Sequence, residues 1–203
     1  MKTLYVLRHG QTDWNRWNLL QGITNTALND SGTRQARLAK TYIDTLPVKE
    51  IYSSPLSRAV LTGLIATQGR DLPVHIEKGL HERDFGRFEA TGPNHRPLPE
   101  HIKTFADLEK EEGFDGETTE EAGKRFEKTL IEIAEKAEYD DLLLVSHGGV
   151  ICAYLEYYYQ SHHIPYTQAD VTIPNCSVST FTYDGELHIK QIGYDDYLNQ
   201  KDC

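Results

Sequence analysis

Residues 3–10 read Thr3-Leu4-Tyr5-Val6-Leu7-Arg8-His9-Gly10, and residues 142–149 read Leu142-Leu143-Leu144-Val145-Ser146-His147-Gly148-Gly149. Each is a short apolar run that stops close to a histidine followed by glycine. Runs of this length, rich in β-prone residues and bounded by turn residues, read as buried strands. The first strand is expected over residues 3–7, ending at Arg8. The second is expected over residues 142–145, leading into a helix that reaches about Tyr159. In open α/β sheets, ligands bind beyond the carboxyl ends of the strands. If the two strands are neighbours, His9 and His147 face one cleft.

Outward from these strands, the pattern alternates. Ala36, Ala39, Ile43 and Leu46 recur at helical spacing, with Pro47 as the stop. Residues 51–53 form a short strand, followed by a helix through Ala59, Val60, Leu64 and Ile65, and Val74–Ile76 reads as a third strand. Thr118-Thr119-Glu120-Glu121 is a capping box heading a helix whose apolar stripe is Ala122, Phe126, Leu130, Ile133 and Ala137. Near the C-terminus, two β-prone runs flank Asp184-Gly185, a hairpin signal. The alternation predicts a three-layer α/β/α sandwich with a largely parallel central sheet and an antiparallel edge. One domain over residues 1–203 is expected, with a lid at about 84–116. In that lid, residues 86–98 read as a surface loop leading to a short helix within residues 101–111.

Composition narrows the function. The 21 Lys and Arg against 31 Asp and Glu give a formal charge of −10. That field repels nucleic acid and anionic membranes, so neither is an expected partner, and an anionic substrate needs a local cluster of cations. Three cysteines, Cys152, Cys176 and Cys203, are too few and too irregularly spaced for a disulfide framework or a zinc knuckle. Reduced thiols in a cytoplasm are the expectation, and the first apolar stretch is too short for a signal peptide or a membrane span. Asn29-Asp30-Ser31 and Asn175-Cys176-Ser177 match a glycosylation sequon that a cytoplasmic chain does not use.

The cations come from two strand ends. Arg8 offers a planar fork suited to phosphate oxygens. Ser53-Ser54-Pro55-Leu56-Ser57-Arg58 runs from a strand end into a helix and places Arg58 in its first turn. A cation there opposes the helix dipole unless an anion sits beside it. Arg58 is therefore read as a second phosphate clamp. Zinc on His9 and His147 is the rival reading, but the chain has no His-Glu-x-x-His pair, no cysteine pair and no Asp-rich segment at either histidine. No metal is expected, and no glycine loop of the nucleotide-binding types is present.

These residues resemble the histidine phosphatase superfamily, which includes the cofactor-dependent phosphoglycerate mutases. The likeness rests on Arg8-His9-Gly10-Gln11-Thr12-Asp13-Trp14-Asn15 continuing through Gln21-Gly22, Leu28, Gly32 and Gln35-Ala36. It extends to residues 53–59, to Leu80-His81-Glu82-Arg83-Asp84-Phe85-Gly86-Arg87-Phe88-Glu89, to Gly116-Glu117-Thr118 and to residues 145–149, with a weaker likeness at residues 175–178. Asn25 stands where relatives often carry Asp, and Ala90 where many carry Gly.

The resemblance implies a catalytic set of His9, Glu82, His147, Arg8 and Arg58. It implies substrate contacts from Arg8, Asn15, Gln21, Gly22, Arg58, Glu82, His147 and Gly148, with no cofactor. His9 would attack phosphorus and become a phosphohistidine, and Arg8 and Arg58 would keep it neutral by lowering its pKa. The guanidiniums, with His147 as a donor, would stabilise the transferring oxygens. Glu82 would be general acid and then base, its pKa raised by the bound phosphate. The competing reading of Glu82 is an exposed carboxylate paired with Arg83 or Arg87.

The stretch after Glu89 lacks the paired arginines and proline-rich insertion of the mutases, and residues 109–115 are strongly acidic. A phosphatase acting on a small phosphorylated metabolite is thus expected over a mutase or a non-catalytic phospho-ligand binder. Residues 91–98, with His95 and Arg96, are expected to shape selectivity, and assembly into a homodimer is left open.

Overall fold

The computed structural model describes residues 1–165 and 171–199; Cys203 lies outside the described residues. Six strands, β1 (Lys2–Arg8), β2 (Glu50–Ser53), β3 (Val74–Ile76), β4 (Asp141–Ser146), β5 (Val178–Tyr183) and β6 (Leu187–Tyr194), form one sheet in the order β3-β2-β4-β1-β5-β6. The first four are parallel; β5 joins β1 antiparallel and β6 completes the hairpin at the edge.

Among the described residues six α-helices accompany the sheet: α1 (Asp13–Arg16), α2 (Asp30–Ile43), α3 (Ser57–Ala66), α4 (Phe105–Leu108), α5 (Thr119–Lys136) and α6 (Gly148–Ser161). Side chains alternate across each strand, so each face gathers its own core. Leu4, Val6, Leu142 and Leu144 pack with Phe126, Leu130, Ile133, Ile151 and Tyr154 beneath α5 and α6. Leu7, Ile51, Leu143 and Val145 pack with Ala36, Ala39, Ile43, Ala59 and Ala66 beneath α2 and α3. The three-layer sandwich is thus present.

The layers explain where a site forms. After β1 the chain turns to the α2 and α3 face; after β4 it turns to the α5 and α6 face. Because β1 and β4 are hydrogen-bonded neighbours, with Arg8 opposite Ser146, a crevice opens at their carboxyl ends.

Two expectations need correction, and a third is met. Helix α2 ends at Ile43, not at Leu46, because the amides of Thr45 and Leu46 bond three residues back, to Tyr42 and Ile43, before Pro47. Leu46 still packs against the core, so its apolar character comes from burial in a turn. Residues 86–98 are not simply surface. Gly86–Phe88 is a 3-10 turn, and Phe85 and Phe88 join Ile102 and Leu108 in a separate small core. The short helix expected within residues 101–111 is the single turn α4, closed by a Thr104–Asp107 capping box.

The thiols of Cys152 and Cys176 are free, and burial pushes them up to about 11 and about 12. Asn29 of the first sequon match is the N-cap of α2, accepting from the Gly32 amide. Among the described residues, no helix is long and apolar enough to cross a membrane.

Candidate active site

Both histidines lie at the crevice, fully buried or nearly so, with ring centroids 5.0 Å apart. The His9 amide donates to Ser146 O at 3.0 Å, and the Ser54 amide to Val145 O at 3.0 Å. The ends of β1, β4 and β2 are thereby held in line. His9 Nδ1 lies 2.7 Å from Gly10 O. A carbonyl can only accept, so Nδ1 carries the proton and Nε2 presents its lone pair. Burial holds the His9 pKa well below the ordinary 6.5, and the positive Arg58 and Arg8 lower it further. The sequence suggested the two arginines as the cause; burial is the larger one.

Arg58 enters from the first turn of α3 and is fully buried. Its Nε donates to His147 Nδ1 at 3.2 Å, Nη1 to Thr24 O at 2.8 Å and Nη2 to Gly22 O at 2.7 Å. Burial brings its pKa down to about 10, still protonated at neutral pH. Because Arg58 donates to His147 Nδ1, His147 Nε2 carries the proton and donates to Ser54 Oγ at 2.8 Å. A phosphate oxygen would have to displace Ser54 to receive that N–H, a partner the sequence did not flag. Arg8 Nη1 donates to Ile173 O, and its buried Nε has no partner among the described residues.

Glu82 is 7% exposed, which removes the reading of it as an exposed, ion-paired carboxylate. Its Oε1 accepts from the amides of Arg83 (2.8 Å) and Val150 (2.6 Å), and its Oε2 from the amide of Gly149 (3.0 Å). The carboxylate thus sits on the positive end of α6. A Cβ at Gly149 would lie 2.8 Å from Oε1, so only glycine admits this approach. Arg83 and Arg87 are engaged elsewhere. Arg83 pairs with Glu109 at 2.7 Å, and Arg87 Nη2 donates to Glu112 O at 2.5 Å. The Gly148 N–H keeps no partner among the described residues.

Asn15 Oδ1 accepts from the Thr12 amide and from Asn175 Nδ2, and Asn175 Nδ2 also donates to His9 O at 3.0 Å. The Asn15 amide nitrogen is left as a donor. Gln21 Oε1 accepts from the Thr12 and Thr26 hydroxyls. Gly22, placed at the site by its carbonyl, has φ +53, and a Cβ there would lie 1.8 Å from Glu89 Oε1.

Two supporting groups escaped the sequence reading. Glu89 accepts from the amides of Ile23 (2.8 Å) and Thr24 (2.9 Å) and from the Thr24 hydroxyl, clamping the loop whose carbonyls hold Arg58. Arg125 forms a two-point pair with Glu117 and donates to Gly79 O and His81 O, fixing the segment that carries Glu82. Their signal was lost because carboxylates and arginines on a helix or loop read as solvated faces. Asn25 Oδ1 accepts from the Ser57 amide at 2.8 Å, capping α3 one residue before Arg58. Arg96, expected to shape selectivity, donates to Arg87 O and Glu89 O and braces the lid. Among the described residues, no group of three or more His, Cys, Asp or Glu side chains is placed to hold a metal ion.

The two neutral histidines give a stability prediction. The pKa of His147 is held well below 6.5 as well, by burial first and then by Arg58, His9 and Arg8. Unfolded, each titrates near 6.5, so below that pH the unfolded chain binds more protons. Stability is unaffected by these groups above pH 6.5. It is expected to fall as pH drops below it, by up to about 1.4 kcal/mol per pH unit for each histidine until its folded pKa is reached. Urea unfolding between pH 5 and 7.5 reads this slope, and His9→Asn should reduce it. An equal slope in that variant contradicts the assignment.

Residues 4–192 match the profile of the histidine phosphatase superfamily, branch 1, and the chain belongs to that superfamily. Two relatives and one solved structure illustrate the range. Agropine synthesis reductase of Rhizobium rhizogenes is 39% identical over 157 residues, which cover 72% of this chain and 33% of that protein. The uncharacterized phosphatase PhoE of Bacillus subtilis is 34% identical over 155 residues, 76% of either chain. Phosphoserine phosphatase of Entamoeba histolytica, solved with 3-phosphoglyceric acid, superposes with a TM-score of 0.81 at 26% identity, covering 98% of this chain and 100% of that one. The chain spans about a third of the length of the reductase relatives.

Proposed function

We propose that this chain is a metal-independent phosphomonoesterase that works through a phosphohistidine on His9. The observation that carries the reading is the tautomer of His9: Nδ1–H is committed to Gly10 O, and Nε2 is a free lone pair in a buried, cationic niche. A neutral imidazole beside two guanidiniums suits attack on a dianionic phosphoryl group.

In the first step, His9 Nε2 bonds to phosphorus as the ester P–O bond breaks, and the departing alkoxide takes a proton from Glu82. Oε2 is the oxygen suited to carry that proton, since it accepts one hydrogen bond where Oε1 accepts two. In the second step, Glu82 takes a proton from water, the hydroxide oxygen bonds to phosphorus and the N–P bond breaks, releasing inorganic phosphate. Arg58, Arg8 through its unpartnered Nε, Asn15 Nδ2 and the Gly148 N–H are the donors proposed for the transferring oxygens. His147 orients Arg58 and joins these donors when its Nε2–H leaves Ser54.

Hydrolysis is favoured over transfer between phosphoglycerates because the arginines in and beside the lid are not available to a second anionic group. Arg83, Arg87 and Arg96 are all held by the chain's own carboxylates and carbonyls. A small phosphorylated metabolite is the proposed substrate, and a cytoplasmic location goes with it. Reactions quenched in alkali and mapped by mass spectrometry should carry phosphate on His9 alone. Phosphate on another side chain, or turnover without any phosphoenzyme, overturns the mechanism.

A further inference from the structure

A pocket of about 390 Å³ is lined by Trp14, Trp17, Leu19, Ala90, Asn94 and His95. Its lining residues are sequence neighbours of residues that build or brace the proposed phosphate site. Trp14 precedes Asn15, and Ala90 follows Glu89, the carboxylate that clamps the loop holding Arg58. The two walls are joined by backbone hydrogen bonds, Ala90 N to Leu20 O at 2.8 Å and Leu20 N to Thr91 O at 2.9 Å.

From this pocket we infer the substrate class: an ester whose alcohol carries an uncharged aromatic ring, seated between Trp14, Trp17 and Leu19. The inference rests on the phosphatase reading for the position of the phosphate and goes beyond it in naming the leaving group.

Four features support it. Trp14, Trp17, Leu19 and Ala90 make most of the lining, beside the polar Asn94 and His95, and no carboxylate, lysine or arginine lines it. The volume exceeds twice the ~150 Å³ that accepts a benzene ring. Arg83, Arg87 and Arg96 are committed, so none of them is a counter-charge for a carboxylated alcohol. Arg16, on the same short helix, is exposed and does not line the pocket. Finally, Ala90 holds φ +61, a conformation costly for any residue with a Cβ. Ala90, which carries a methyl group that glycine would lack, is one of the residues lining the pocket.

The chain has two tryptophans, and both line the pocket, so intrinsic fluorescence reports on it directly. The first measurement titrates the whole protein with 2-phenylethylphosphonate and with ethylphosphonate, which cannot be hydrolysed. The phenyl compound is expected to bind about 10- to 100-fold more tightly, as burial of one ring predicts. The second compares kcat/KM for 2-phenylethyl phosphate, ethyl phosphate and O-phosphoserine, whose leaving groups are all alkoxides. The same phenyl advantage should appear there, and it should shrink to a few-fold in Trp17→Ala, with the ratio taken within each variant.

Equal affinity of the two phosphonates, or O-phosphoserine outrunning the phenyl ester, overturns the substrate class and leaves the phosphatase reading intact. A tight phenyl phosphonate with no hydrolysis of any ester overturns the phosphatase reading and leaves the aromatic site standing.

Discussion

Replacing His9 by alanine is expected to lower phosphomonoester turnover by about four orders of magnitude or more, because no other group can form the phosphoenzyme. Binding should survive. The guanidinium of Arg58 is fixed by Gly22 O, Thr24 O and His147, none of which depends on His9. A non-hydrolysable phosphonate should therefore still bind His9→Ala, while turnover and phosphate incorporation vanish together. The substitution also removes a buried ring, so a melting curve belongs beside the kinetics. A folded variant with near-normal turnover contradicts the mechanism.

The second large effect is expected at Glu82. Glu82→Gln keeps the shape of the side chain but cannot deliver a proton, and general acid–base catalysis contributes about 10²- to 10⁴-fold. Alkyl esters, whose leaving alkoxides are strong bases, should lose turnover by that factor. p-Nitrophenyl phosphate, whose leaving group needs no proton, should lose much less in the phosphorylation step. The contrast separates chemistry from structure. Gln presents an NH₂ toward backbone amides that now donate to a carboxylate; a purely structural defect would slow both esters alike. A parallel loss for the two esters places the proton elsewhere.

Much of the fold was legible in sequence because its signals are local. The apolar strands β1 and β4, the Thr118 capping box of α5 and the Asp184-Gly185 hairpin depend on residues within a few positions of one another. Helix α2 shows the limit of such signals, since Leu46 continues the periodicity from a turn. The lid shows it too: residues 86–98 have little periodicity, and only tertiary packing gathers Phe85, Phe88, Ile102 and Leu108.

The candidate site divides along the same line. Residue type and strand-end position mark His9, Arg58 and His147, and Glu82 emerges from the family likeness. What each side chain bonds to could not be read. Ser54, Glu89 and Arg125 act across gaps of many residues, and their identities alone suggest solvent-facing groups.

The sequence by itself determined the α/β class, the order of the elements and the placement of Arg8-His9-Gly10 and Ser146-His147-Gly148-Gly149 at strand ends. Those features follow from periodicity and turn chemistry, which are properties of neighbouring residues. Only the tertiary structure decided that β1 lies against β4, that His9 Nε2 keeps its lone pair while both His147 nitrogens are engaged, and that the Glu82 carboxylate rests on the head of α6. The physical reason is that burial and hydrogen-bond geometry set the protonation of an imidazole and the environment of a carboxylate. Both are created only when distant segments of chain meet.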